Sequence, residues 1–279
     1  MKTNRIRHSG RRHLLIVGAL VLLVLGGLGV ALGFSRLRDL WLEQFVVRTM
    51  DGQVEIESGR MVKADVIAEN LGIKPGTNLG KIDFAERREA ILRKIPNLRE
   101  IHISRILPDR VRITIEEREP VARLNVRGRK SDTGKVVDSE GVVFLCSRGT
   151  RLLPIIREAA EPGTPVGHRL EGRATAALRF IAACHDPAFQ EIGILDADVA
   201  YPDWLSATIN TGASYAQLKL AWDGMDNPEE TPESHASLVR QLKHLRDALR
   251  TRVGENAVIW NATDFSYPGR IYADTKGKL

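Results

Sequence analysis

The residues that could carry out catalysis or hold a metal ion are scattered along the 279-residue chain. The sequence has no G-x-S-x-G motif, no Walker A motif and no glycine-rich dinucleotide loop. Seven isolated histidines form neither an HExxH motif nor a Cys/His cluster with metal-ligand spacing: His8, His13, His102, His168, His185, His235 and His244. The sequence therefore predicts no enzyme, no cofactor, no metal and no small-molecule substrate.

Three local clusters could still suggest chemistry, and each has a simpler interpretation. Cys184-His185-Asp186 places a nucleophile beside a base, but adjacent side chains rarely face each other, so we predict a helix end. Asp196 and Asp198 share one side of an extended stretch, and without further ligands they indicate a solvated turn rather than a Ca²⁺ site. Glu116–Glu119 is predicted to be the solvated edge of a strand end.

The two cysteines, Cys146 and Cys184, belong to no metal or redox motif. A pair of small buried side chains and a disulfide both fit the sequence. The cysteines therefore indicate no redox function, and their pairing stays open.

The positive charge of the chain is concentrated at its beginning. The formal net charge is +6, and five basic residues without an acidic one occupy the first thirteen positions: Lys2, Arg5, Arg7, Arg11 and Arg12. The remainder of the chain carries only +1, so the sequence predicts no basic domain face and no nucleic-acid partner.

An uncharged segment follows this basic tail. Leu14–Ser35 is a run of 22 residues without a charge or a histidine, and about 20 helical residues cross the hydrocarbon core of a bilayer. We predict a cytoplasmic tail at 1–13, a transmembrane helix at 14–35 and a linker at 36–44, with everything that follows outside the cytoplasm. The alternative is a cleaved signal peptide with its cleavage site near Ala31-Leu32-Gly33.

The pattern of residues 45–118 predicts a β-α-α-β-β domain. A short strand around Val54 and Ile56 precedes a helix at 63–71, which Gly72 ends. A second helix begins at Asp83 and ends at Pro96, and the strands 100–106 and 110–117 alternate apolar and polar residues. A helix pair on one face of a three-stranded sheet would bury every apolar stripe.

Residues 119–279 predict a mostly antiparallel β domain with flanking helices, which makes the whole chain α+β. A hairpin is expected at 136–144, because an Asp/Gly turn joins two apolar runs. Helices are predicted at 174–184 and from Thr231 to Gly254, the latter with an apolar stripe at Leu238, Leu242, Leu245, Leu249 and Val253. Further strands are predicted at 192–194, 204–210, 215–220, 258–260 and 265–273.

Several motifs in these blocks resemble the FtsQ/DivIB family of bacterial division proteins. They are Ile95–Leu98, Ser104–Pro108, Ile115–Ala122 and the hairpin Val136–Phe144, with Asn97 standing where the family often has tryptophan. The β-α-α-β-β unit likewise resembles a POTRA domain. The residues that carry the family pattern are Arg105, Pro108, Glu117, Arg118, Pro120, Asp138 and Gly141.

The resemblance implies a function in the divisome. In this family the last strand region of the β domain recruits FtsB, and with it FtsL. Asp264–Ile271 is similar to the family's terminal signature, which places the contact at Phe265, Ser266, Tyr267, Gly269 and Ile271. A packing role for Phe265 and Tyr267 at the end of the β domain fits the sequence equally well.

We therefore predict a single-pass scaffold of the inner membrane at the division septum. Its edge strand would bind a partner by strand addition and so help control septal peptidoglycan synthesis. An outer-membrane assembly or secretion protein is the alternative, because POTRA units occur there too. That class predicts several POTRA repeats, whereas this sequence has one such unit.

Overall fold

The computed structural model describes residues 33, 44–57, 59–128, 133–158, 163–210, 215–227, 229–251, 258–261 and 272–274. Their contacts form two compact units. The first unit contains the described residues up to 57 together with 63–89 and 101–115, and the second contains 59–62, 90–100 and the described residues from 116 onward. Within the described ranges no helix has the length and apolar character needed to cross a membrane. The predicted span at 14–35 lies outside them, apart from Gly33.

The smaller of two sheets follows the predicted β-α-α-β-β order. Its elements are β1 (Val54–Glu57), α1 (Ala64–Leu71), α2 (Phe84–Lys94), β2 (Leu98–Ile106) and β3 (Arg110–Glu117), with a 3-10 turn at Leu79–Lys81. The strand order is β1-β3-β2, and β1 runs parallel to β3. On β3 the side chains of Val111 and Ile113 are buried while those of Arg110 and Arg112 are exposed, as the alternating pattern predicts.

Local signals set the ends of the two helices that precede β2. Helix α1 ends at Gly72, whose φ of 69° is left-handed and whose N–H bonds the last turn. Helix α2 begins after Asp83, whose carboxylate accepts hydrogen bonds from the N–H groups of Ala85 at 2.9 Å and Glu86 at 3.2 Å. Ile67 and Leu71 form the buried stripe of α1, whereas Val66 beside them is 40% exposed.

The larger sheet has nine strands. They are β4 (Ala122–Val126), β5 (Lys135–Val137), β6 (Val143–Leu145), β7 (Ile155–Glu158), β8 (Gly193–Asp198), β9 (Trp204–Asn210), β10 (Tyr215–Ala221), β11 (Ile259–Asn261) and β12 (Tyr272–Asp274). Their order is β12-β11-β10-β9-β8-β7-β4-β5-β6. Five of the neighbouring pairs are antiparallel, while β10–β11, β7–β8 and β4–β7 are parallel. The predicted β5–β6 hairpin is therefore present, and the predicted strands at 204–210 and 215–220 form an antiparallel meander with β8.

Two helices share one hydrophobic core with the nine-stranded sheet. Helix α3 spans Arg173–Cys184 and α4 spans Pro232–Leu249. Thr231 and Ser234 form a capping box at the start of α4, with both N–H···O distances at 3.1 Å. The predicted stripe of α4 is buried at Leu238, Leu242 and Leu245 and half-buried at Leu249, while its predicted end, Val253 and Gly254, lies outside the described residues.

Candidate functional site

The turn between β5 and β6 is built around the carboxylate of Asp138. Its Oδ1 accepts hydrogen bonds from the N–H of Glu140 at 3.0 Å and of Val142 at 2.8 Å. Gly141 closes the turn with a φ of 82°, a left-handed conformation that glycine adopts without a steric cost. Asp138 is buried, so its other oxygen needs a partner.

Arg118 supplies that partner. Its Nη1 donates to Asp138 Oδ2 and, at 3.1 Å, to Oε2 of Glu140. The side chains of Arg118 and Asp138 are only 13% and 5% exposed, so little solvent screens the pair. The backbone N–H of Arg118 donates to the carbonyl of Asn97 at 2.8 Å. Two of the motifs that carry the family pattern, around residues 118 and 138, therefore meet in one cluster.

Arg99 and Glu116 extend this cluster toward solvent. Arg99 donates from Nε to Glu140 at 3.0 Å and from Nη1 to Glu116 at 2.8 Å. Hydrogen bonds from Arg118 and then Arg99 hold the pKa of Glu140 below its usual value. The bonds of Arg99 to Glu140 and Glu116 raise the pKa of Arg99. Glu140 therefore stays ionised and links the solvated side of the cluster to the buried pair.

Glu117 points to a different partner. Its carboxylate accepts hydrogen bonds from three consecutive backbone N–H groups, those of Arg60 at 2.7 Å, Met61 at 2.8 Å and Val62 at 2.6 Å. A Cβ on Gly59 would lie 2.1 Å from the Glu117 carboxyl carbon, so this close approach requires glycine. The prediction of a solvated strand edge at 116–119 was wrong for Glu117 and Arg118, because segments distant in sequence cover both.

The remaining motif residues do not belong to this cluster. In the first unit, Arg105 stacks its guanidinium 4.8 Å above the Phe84 ring and donates to the carbonyl of Ile82 at 2.7 Å. Pro108 occupies the exposed turn between β2 and β3, and Pro120 lies in the connection from β3 to β4. In the sequence Asn97 is only a departure from the family pattern. In the structure its carbonyl accepts from the N–H of Arg118, and its side-chain amide donates to the carbonyl of Leu145 in β6.

The two edges of the nine-stranded sheet differ. At the β6 edge, the N–H of Val143 donates to the carbonyl of His168 at 2.9 Å. The carbonyl of Val143 accepts from the N–H of Gly167 at 2.7 Å. The Asn97 amide donates to the carbonyl of Leu145 at 2.8 Å. The edge N–H and carbonyl of Val143 and the carbonyl of Leu145 are therefore already hydrogen-bonded. These groups are not available to pair with a further strand.

The opposite edge is β12, which pairs antiparallel with β11 through Trp260↔Ala273. Among the strands that the structure describes, none pairs with the other side of β12. Five residues predicted to contact a partner precede β12 and lie outside the described residues: Phe265, Ser266, Tyr267, Gly269 and Ile271. Their role stays a prediction.

The residues at 184–186 and 196–198, whose types could suggest chemistry, have structural roles. Cys184 ends helix α3 as predicted, and burial raises the pKa of its thiol to about 12, so the nucleophilic thiolate is suppressed. Both cysteines are free, which answers the open question of a disulfide. The solvated turn predicted at 196–198 is wrong, since these residues lie in β8, where Asp196 pairs with Arg157 and Asp198 with Arg127. No group of metal ligands occurs within the described ranges.

Comparison with known families finds a match for the segment that forms the smaller sheet and its helices. Residues 51–118 match the family model described as a POTRA domain, FtsQ-type. No curated protein matches the chain.

Proposed function

We propose that this chain is a single-pass scaffold of the divisome. The FtsQ-type POTRA domain at residues 51–118 supports its assignment to the FtsQ/DivIB family of cell-division proteins. The FtsQ-type POTRA family is a family of non-enzymatic scaffolds. The presence of such a domain suggests that this chain takes part in protein–protein interaction during division. The POTRA match is the observation that carries the proposal. An outer-membrane assembly or secretion role gains nothing from it, because the matching model is the FtsQ type.

The proposed organisation keeps the limits predicted from the sequence. Residues 1–13 form the cytoplasmic tail, 14–35 the transmembrane helix and 36–44 a linker. A POTRA domain at 45–118 and a β domain at 119–279 lie on the extracytoplasmic side of the inner membrane, at the division septum. The basic tail and the uncharged run of 22 residues support this orientation.

The proposed mechanism is strand addition at β12. A segment of an FtsB/FtsL-type partner hydrogen-bonds to the edge strand and continues the nine-stranded sheet. The contrast between the two edges supports this choice, because the backbone of 167–170 and the Asn97 amide occupy the β6 edge. Through its partners the scaffold would contribute to the control of septal peptidoglycan synthesis.

Tyr267→Glu is expected to reduce retention of an FtsB/FtsL-type partner by about tenfold or more, because the proposal makes Tyr267 an aromatic contact of the partner and the variant replaces it by a charge. The measurement is pull-down by the full-length chain, with circular dichroism to verify folding. Tyr215→Glu is the matched control, since Tyr215 is 66% exposed on β10 and the chemical change is identical. Normal retention by Tyr267→Glu, or equal loss in both variants, would contradict the edge assignment.

A further inference from the structure

Two consecutive residues hold two segments that are far apart in the sequence. The Glu117 carboxylate holds the loop 59–62 through three backbone N–H groups. The Arg118 guanidinium holds the β5–β6 turn, 138–141, through Asp138 and Glu140. All of these residues belong to the second unit. The single peptide 117–118 therefore connects the loop and the turn.

The peptide itself has little freedom to move. Successive side chains of an extended chain point in opposite directions, which is why two neighbours reach different partners. The N–H of Arg118 is fixed at 2.8 Å from the Asn97 carbonyl, and the Glu117 carboxylate fits against Gly59 only because that residue has no Cβ. A displacement that releases one side chain moves the backbone that carries the other.

We infer that Glu117 and Arg118 form a two-sided latch, which couples opening of the loop 59–62 to opening of the β5–β6 turn. Release of either side raises the population in which the other side is open. The coupling is reciprocal, because it is a single free energy shared between two sites. The physical element is the peptide 117–118, which the contacts of both side chains hold in one closed arrangement.

Through the latch, binding at the loop 59–62 would change the order of the β5–β6 turn. This coupling does not depend on the proposed partner of β12. The loop 59–62 leads into helix α1 of the POTRA domain, while the turn belongs to the nine-stranded sheet. A ligand that orders the loop also orders the turn, by the same coupling free energy.

Hydrogen exchange in the full-length chain tests the coupling in both directions. In Asp138→Asn, the peptide covering 59–63 should exchange about tenfold faster, although none of its residues is changed. In Glu117→Gln, the peptide covering 138–144 should be accelerated similarly, because Glu140 and Val142 donate their N–H groups to Asp138.

Glu55→Gln is the control, since it removes the exposed ion pair of Glu55 with Arg112 on β3 and leaves the latch intact. It should change neither peptide. Acceleration confined to the segment whose own contact was removed would overturn the latch. Equal acceleration in β9 and β10 would also overturn it, because that result indicates global unfolding rather than coupling of two segments.

Discussion

Asp138→Ala is expected to lower the free energy of unfolding by about 3–5 kcal/mol. The change leaves the guanidinium of Arg118 buried without its main counter-charge. It also removes the acceptor of the Glu140 and Val142 N–H groups, which shape the β5–β6 turn. Urea unfolding followed by circular dichroism measures this loss.

Asp203→Ala serves as the control for this prediction, because Asp203 is an exposed residue in the turn before β9. Its substitution should change stability by less than about 0.5 kcal/mol. Equal stability of the two variants would mean that the buried ion pair contributes nothing net to the fold.

Gly59→Ala is expected to cost about 3 kcal/mol, although the residue is exposed. The new methyl would occupy the position of the Glu117 carboxylate, which must then leave its three N–H donors. Hydrogen bonds to a charged acceptor contribute about 1.5–3 kcal/mol each, and water restores part of that loss.

A double-mutant cycle separates this mechanism from simple loss of glycine. Once Glu117→Ala has removed the carboxylate, adding Gly59→Ala should cost less than about 0.5 kcal/mol more. Additive costs in the double variant would show that the methyl disturbs something other than Glu117.

Elements with strong local patterns were predictable from the sequence. Strand β9 has the predicted limits, 204–210, and α4 begins at the predicted cap because Thr231 and Pro232 are local signals. Strands β4 and β7 were not predicted. Each is short, and the two pair in parallel with one another, so their stability comes from partners that no local pattern identifies.

The cluster around Arg118 was predictable only in part. The sequence motifs singled out Glu117, Arg118, Asp138 and Gly141, but the charges of residues 116–119 predicted a solvated edge. Whether a charged side chain is buried depends on partners from distant segments, here the loop 59–62 and the β5–β6 turn. Neither the pairing of Arg118 with Asp138 nor the contacts of Asn97 follow from local sequence.

Hydrogen exchange at the sheet edges, measured with and without an FtsB/FtsL-type partner, tests strand addition most directly. Bound partner should slow exchange in the peptide covering 272–274 by about tenfold or more, because a new strand would bond the side of β12 that no described strand occupies. The peptide covering 143–145 should be unchanged, since its edge is already covered. Protection at β6 without protection at β12, or no change at either edge despite binding, would contradict strand addition at β12.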